Sequence, residues 1–311
     1  MPSVDVVVVN WNSGAQLRVA VGSVLHGVAG KERVAVCVVD NGSADDSLSG
    51  LDHRLGVRLL KNQQNIGFAA ACNQGAALGE GEFILFLNPD AAVFRDTIPE
   101  SVNFMRRLEN SDVGICGVQL VDAVGVVQRS CANFPNVKTY LANSFGLAGI
   151  FPRRFSHFMT TFDHQETCDV DQVMGAYFLI RRSLFERLGG FDERFFVYFE
   201  DLDLSLRARQ LGWRSVFLAQ ARAYHRGGGI SDQVKAHRLF YSSRSRILYA
   251  FKHFKRAEAW VVCFATLAVE PVSRLVQGVL RRSGRELVDT IRGYLMLWQD
   301  VPNILQRALR R

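Results

Sequence analysis

The sequence predicts an α/β fold, a mainly parallel central sheet flanked by helices, with a C-terminal helical extension. Three apolar runs predict it: Val6-Val7-Val8-Val9-Asn10-Trp11-Asn12, Ala35-Val36-Cys37-Val38-Val39-Asp40-Asn41-Gly42-Ser43 and Phe83-Ile84-Leu85-Phe86-Leu87-Asn88-Pro89-Asp90. Each is nearly continuous and stops at a polar turn, the pattern of a strand buried on both faces of a parallel sheet. Amphipathic segments separate the runs, as βαβ units require. Ligands of open α/β sheets gather at the carboxyl ends of strands, and right-handed crossovers place those ends on one edge. Asn10, Asn12, Asp40, Asn41, Asn88 and Asp90 are therefore expected to converge.

After the first run, Leu17, Val21, Val24 and Leu25 recur at helical spacing. Ser43-Ala44-Asp45-Asp46 has the form of a capping box and predicts a second helix just beyond Asp40 and Asn41. Gly67 opens a third crossover, in which Phe68-Ala69-Ala70-Ala71-Cys72-Asn73 supplies good helix formers. Gly, Pro and polar interruptions from about 119 to 171 predict an irregular stretch that includes a mobile loop over the site. Val173-Met174-Gly175-Ala176-Tyr177-Phe178-Leu179-Ile180 reads as one strand whose Gly-Ala pair leaves room for a closely approaching ligand or backbone. An acidic helix start follows, with Phe199, Leu202 and Leu206 on one face. Ala221-Arg222-Ala223-Tyr224 reads as a strand followed by His225, and the chain beyond about 233 reads as wholly helical.

Hydrophobic residues at 48% and charged residues at 22% of 311 positions argue against disorder. A formal net charge of +7 favours an anionic partner: phosphate esters, nucleic acid or a membrane surface. No nucleic-acid recognition module is present, so nucleic acid is set aside. Cys37, Cys72, Cys116, Cys131, Cys168 and Cys263 form no CxxC pair and read as reduced core residues of a cytosolic protein. The N-terminus lacks a basic region followed by an apolar stretch, so no signal peptide is expected. Asn10-Trp11-Asn12-Ser13-Gly14 does not supply GxGxxG, and no GxxxxGK[ST] occurs. A nucleotide, if bound, is held by neither of those schemes.

Several residues carry two readings. Asp40 stands where a carboxylate accepts hydrogen bonds from a nucleobase or ribose, and Asp40-Asn41-Gly42-Ser43 equally reads as a capped turn. Asp90, presented by Pro89, suits Mg²⁺ or Mn²⁺, which take one or two carboxylates plus substrate phosphates; Asn-Pro-Asp is also a plain turn. His225 precedes Gly227-Gly228-Gly229, a loop able to bend the imidazole toward the same metal, although a lone histidine is often structural. Glu200, Asp201 and Asp203 complement a helix dipole, and Asp203 can pair with Arg207; alternatively one carboxylate is a general base.

In this order the motifs resemble glycosyltransferase family 2, inverting enzymes of the GT-A fold, and within it the rhamnosyltransferase-like branch. The resemblance rests on Val8-Val9-Asn10-Trp11-Asn12, Val38-Val39-Asp40-Asn41-Gly42-Ser43, Asn65-Ile66-Gly67-Phe68-Ala69 with Asn73, Leu87-Asn88-Pro89-Asp90, Gly175-Ala176, and Gly190-Phe191-Asp192-Glu193 with Phe199-Glu200-Asp201. It implies a nucleotide-sugar-binding catalytic domain over 1–232 and a helical extension over 233–311. It implies that Asp40 binds the donor base and that Asn10, Asn12, Asn41, Asn65, Gly67, Asn73 and Asn88 line the donor pocket. Gly175, Ala176 and Glu200 would lie on the acceptor side. By the same resemblance Asp201 is the catalytic base, Asp90 the last position of the DxD metal motif, and His225 a further metal or diphosphate contact. Asn88 departs from the pattern, standing where DxD has its first aspartate.

The implied donor is a nucleotide sugar, with dTDP-rhamnose ahead of a UDP-hexose, and the implied acceptor is a cell-envelope glycan or a polyprenyl-diphosphate-linked sugar. A nucleotidylyltransferase would want a basic Gly-rich first loop, which Asn10 to Gly14 lacks; a non-catalytic scaffold gives no reason for Asp40, Asp90 and Asp201 to occur together. In the extension, the apolar segment from Trp260 to Val269 is too short to span a bilayer. Lys252, Lys255, Arg256, Arg274, Arg281, Arg282 and Arg285 surround it, a pattern for lying on the inner membrane surface; a helical cap or a homodimer contact is the alternative.

Overall fold

Strand β1 (Val4–Asn10) is buried along its whole length, as expected of a strand covered on both faces. The computed structural model describes residues 3–27, 33–51, 56–227 and 235–309. It divides into two compact units, one formed by Met1–Asn133, Phe162–Glu193 and Glu200–Gly229, the other by Phe134–Thr161, Arg194–Phe199 and Ile230–Arg311.

In the first unit β1 leads through α1 (Ala15–Gly27) to β2 (Val34–Asp40) and β3 (Val57–Lys61), then through α2 (Phe68–Ala76) to β4 (Phe83–Leu87) and β5 (Ala91–Val93). Helix α3 (Thr97–Arg106) precedes β6 (Val113–Val121) and β7 (Cys131–Ala132). The second unit contributes α4 (Val137–Ser144), α5 (Leu147–Ile150) and α6 (Pro152–Phe155). The chain returns to the first unit for β8 (Cys168–Val170), β9 (Gln172–Val173), β10 (Tyr177–Arg181), α7 (Arg182–Arg187), α8 (Glu200–Gln210) and β11 (Arg214–His225). It ends in the second unit with α9 (Lys235–His253), α10 (Arg256–Phe264), α11 (Glu270–Leu280) and α12 (Gly284–Leu309).

Nine strands form the main sheet, in the order β3-β2-β1-β4-β10-β6-β11-β5 with β8 beside β11; β7 and β9 pair separately. The half from β3 to β4 is parallel, and β6 is parallel to β11. Strand β10 runs antiparallel between β4 and β6, and β5 antiparallel to β11, so the sheet is mixed. The antiparallel members still serve one edge. The start of β10 lies opposite Leu87 at the end of β4, and Ala91 at the start of β5 lies opposite His225 at the end of β11. Asp5, the one charge in β1, is buried and paired with Arg182 at 2.7 Å, which offsets its desolvation.

Several expectations are corrected. Residues 43–46 form no helix, because the side chains of the capping pattern bond elsewhere: Ser43 Oγ accepts the Asn12 N–H and Asp45 Oδ2 accepts the Gly14 N–H. The run from Val173 to Ile180 is two strands, broken by a turn at Gly175-Ala176. Residues 221–224 belong to the 12-residue β11, whose register shifts between Leu218 and Arg222, and His225 is its last residue rather than its successor. Phe199 precedes α8 instead of opening it; Tyr198 and Phe199 have left-handed φ of 67° and 74°, incompatible with a helix. The stretch expected to be irregular contains the end of β6 and three short helices. Gly228 and Gly229 lie outside the described residues. Five cysteines are buried and Cys168 is half-buried.

In the second unit, α12 packs on α9 and α11. Phe199 places its ring near Tyr140 and Tyr249, with centroids 6.4 and 5.7 Å away. Glu270, 1% exposed, pairs with Arg246 of α9 and with Arg274. Helices α10 and α11 join through a π-helical turn, Ala265–Val269, into one 25-residue helix, Arg256–Leu280. That corrects the short apolar segment read from sequence: by length and composition alone this helix can cross a membrane, although 39% of its apolar window is buried.

Candidate active site

The polar strand ends do meet at one edge, but they divide between holding and being held. Asn10 is fully buried at the end of β1, and its Nδ2 donates to Asp40 Oδ1 at 2.8 Å and to the Ser43 and Ser47 hydroxyls. Its Oδ1 accepts from Ser13 Oγ. Asn10 thus fixes the Asp40 carboxylate, which among the described residues takes one further hydrogen bond, at 3.4 Å from the Ser43 N–H, and keeps acceptor capacity. Asn12, with φ of 51°, accepts the Ala44 N–H on its side chain and ties the first loop to the second.

Asn41 is a hub, 2% exposed. Its Nδ2 donates to Asn65 Oδ1 and to the Gly67 carbonyl, and its Oδ1 accepts from Asn62 Nδ2 and the Ile66 N–H. Gly67, at φ 97°, makes the turn into α2 that this bonding needs. Asn41→Ala strands several buried donors and acceptors and is expected to cost about 2–4 kcal/mol. A urea midpoint unchanged from the parent would remove Asn41 from this role. Asn73 projects from α2 and clamps residue 191, donating to the Phe191 carbonyl and accepting its N–H, both at 2.9 Å.

Asp90 follows β4 in the Pro89 turn, and its Oδ1 lies 3.5 Å from His225 Nε2. The β5–β11 pairing, rather than a bend in the loop after His225, sets the imidazole beside this carboxylate. Gln128 fixes the tautomer. Its Nε2 donates to the His225 carbonyl at 2.8 Å, which turns its Oε1 to Nδ1 at 3.0 Å, so Nδ1 carries the proton. In the neutral imidazole Nε2 keeps its lone pair toward Asp90 Oδ1, so the two atoms can share a cation. One carboxylate and one imidazole held from behind could hold a divalent ion completed by phosphate oxygens and water; among the described residues no group of three or more His, Cys, Asp or Glu side chains gathers to hold a metal. Asn88, half-buried beside it, makes no side-chain hydrogen bond among the described residues.

The Gly175-Ala176 turn joins this edge to α8. The Asn88 N–H donates to the Ala176 carbonyl, and the Gly175 N–H donates to Asp201 Oδ2 at 3.1 Å. Asp201 Oδ1 accepts the Leu202 N–H at 2.8 Å, and the Gln172 side chain also bonds the carboxylate. Burial raises the Asp201 pKa above the ordinary aspartate value, partly countered by these hydrogen bonds. Glu200 is buried and its Oε2 has no partner; burial, then Asp201 and Asp203, push its carboxyl well above the usual range, favouring the neutral acid. Asp203 is fully buried and pairs with Arg207 at 2.7 Å, the i,i+4 pairing expected.

Gln128, Gln172 and Ser47 are supporting residues that the sequence did not mark, and Ser43, marked as a helix cap, supports Asn10 instead. Gln128 lies 97 positions from the histidine it orients, and no local spacing reports such a contact.

A mixed α/β sheet with these strand ends around one edge is the GT-A fold. The solved mannosyltransferase PcManGT from Pyrobaculum calidifontis, in complex with GDP-Man and Mn²⁺, shares this fold, with a TM-score of 0.55 at 16% identity over 99% of this chain and 86% of that one. The Glycosyl transferase family 2 profile matches residues 5–189, and the chain belongs to that family. The N-acetylglucosaminyl-diphospho-decaprenol L-rhamnosyltransferase of Mycobacterium tuberculosis is 28% identical over 308 residues, 93% of this chain and 97% of that protein. The rhamnosyltransferase WbbL of Escherichia coli is 29% identical over 150 residues, 47% of this chain and 53% of that protein.

Proposed function

We propose that this glycosyltransferase inverts configuration as it moves rhamnose from dTDP-rhamnose to a hydroxyl of a polyprenyl-diphosphate-linked sugar, working at the cytoplasmic side of the membrane. The observation that carries the chemistry is the Asp201 carboxylate, anchored by the Gly175 N–H and raised in pKa toward the range of a general base. The rhamnosyl donor and lipid-linked acceptor are supported by the near full-length similarity to the mycobacterial enzyme.

In this reading Asp40, steadied by Asn10, receives the donor base or ribose, and the Asn41–Asn65–Gly67 network shapes the loop beside it. Asp201 takes the proton of the acceptor hydroxyl as that oxygen attacks the anomeric carbon and the nucleoside diphosphate leaves. Asp90 and His225 would hold Mg²⁺ or Mn²⁺, which when bound offsets the charge of the departing diphosphate. The Asp201 proton passes to solvent after product release.

Calorimetric titration with dTDP, UDP and GDP, each with and without Mg²⁺ or Mn²⁺, tests the donor. Selective, metal-enhanced dTDP binding is expected; selective UDP binding moves the donor to a UDP-hexose, and no binding at all favours a non-catalytic scaffold. Asp90→Ala is expected to abolish the metal enhancement while leaving metal-free nucleotide binding in place. Unchanged affinity with Mg²⁺ present would remove Asp90 as a ligand.

A further inference from the structure

We propose that an exposed apolar face of the second unit, shared by the Arg256–Leu280 helix and α12, docks in the interface of a bilayer containing anionic lipid. The inference goes beyond sugar transfer and stands on this unit alone. Trp260, Phe264, Val272, Val276, Val279 and Leu280 are 42–77% exposed and recur mainly at intervals of three and four, one face of one helix. The opposite face, including Ala259, Val262, Cys263 and Glu270, is buried.

A second strip adjoins the first. Val288, Ile291, Leu295 and Trp298 of α12 are 46–49% exposed, also at helical spacing. Two contacts fix the helices side by side: Leu287 packs where Gly278 leaves space, and Trp298 Nε1 donates to the Leu267 carbonyl at 3.0 Å. Two apolar strips on an antiparallel helix pair make one continuous surface, larger than scattered exposed residues produce.

Charge selects the occupant. Arg281, Arg282 and Arg285 mark the turn between α11 and α12, while Lys255 and Arg256 mark the far end of the helix. Arg256, Arg282 and Arg285 form no ion pair among the described residues. Both ends of the apolar face are therefore basic, matching anionic headgroups around an acyl interior. A second copy, packed parallel or antiparallel, would set basic end against basic end. Crossing the bilayer is disfavoured by Glu270: it is buried midway along the helix and paired with Arg246, so a spanning helix would tear this pair apart or carry it into hydrocarbon. The helix lies in the interface plane.

The test uses the full chain and vesicles free of acceptor and nucleotide, so its result is independent of the transferase reading. Sedimentation is expected with phosphatidylcholine–phosphatidylglycerol vesicles, weakly with phosphatidylcholine alone, and less as salt rises. The pair Arg281→Glu and Arg282→Glu is expected to lower partitioning at least about tenfold, since each basic residue near the surface contributes roughly 1 kcal/mol. Trp260→Ser with Phe264→Ser is expected to abolish it with the folded circular dichroism spectrum retained, and Phe264→Ser alone, which leaves the Trp260–Phe251 ring contact in place, is expected to weaken it with the melt unchanged. No sedimentation with anionic vesicles overturns the proposal, as does sedimentation indifferent to these variants. A dimer in ultracentrifugation that Trp260→Ser with Phe264→Ser dissociates would assign the face to a second copy. Retention by cell membranes through alkaline carbonate extraction would assign the helix to spanning.

Discussion

Asp201→Asn is expected to lower turnover by roughly 10²–10⁴-fold, the range for a positioned general base, while nucleotide affinity stays near that of the parent. Asparagine keeps the shape and can still accept one of the two N–H groups, Gly175 or Leu202, that the carboxylate holds on separate oxygens, but it cannot take a proton. Burial raises the pKa of Asp201, and a base acts when deprotonated. Activity should therefore rise with pH, and the acid limb of kcat/KM should lie above the ordinary aspartate value and disappear in the variant. Near-normal turnover of Asp201→Asn with the donor that the parent uses would remove the residue from this role.

Glu270→Ala is expected to destabilise the second unit by about 3–5 kcal/mol, because it leaves the Arg246 guanidinium buried without its counter-charge. Replacing both partners, Arg246→Met with Glu270→Leu, should recover most of that loss, since a buried pair contributes little beyond an apolar pair of similar volume. Burial alone would raise the Glu270 pKa, but Arg246 and Arg274 hold it below the ordinary glutamate value. Its stabilisation is accordingly present above that ordinary value and lost as pH falls through the lower folded one. Urea unfolding at neutral and acid pH reads both effects; a single variant within about 1 kcal/mol of the parent would show that the pair is not stabilising.

Strands that bury both faces are legible because they are almost wholly apolar, Asp5 with its Arg182 partner being the exception in β1, so β1, β2 and β4 appear in the sequence and end where the site begins. Side chains that bond across loops are not legible in the same way. Ser43 and Asp45 spell a helix start locally, yet their bonds run to residues 12 and 14. Asn10 was expected in the donor pocket; the structure places it fully buried behind Asp40. Type and position at a strand end mark Asn10 for this edge of the sheet, while only its burial tells that it supports another residue. The break between β9 and β10 was hidden because Gly175 and Ala176 are apolar, and strand periodicity runs through them unmarked.

That turn has a further consequence. Its peptide groups bond Asn88 on one side and Asp201 on the other, so in the proposed reaction a two-residue segment would act as a gauge between the leaving-group end of the site and the proton acceptor. Reacting atoms must approach to about 3–3.5 Å before attack. With the gauge fixed, an acceptor is selected by reach: the hydroxyl that fits is the one whose distance from its own anchoring points equals what the turn leaves open. Lengthening the turn by one residue would change which hydroxyl of a sugar is used before it changed which sugar is bound.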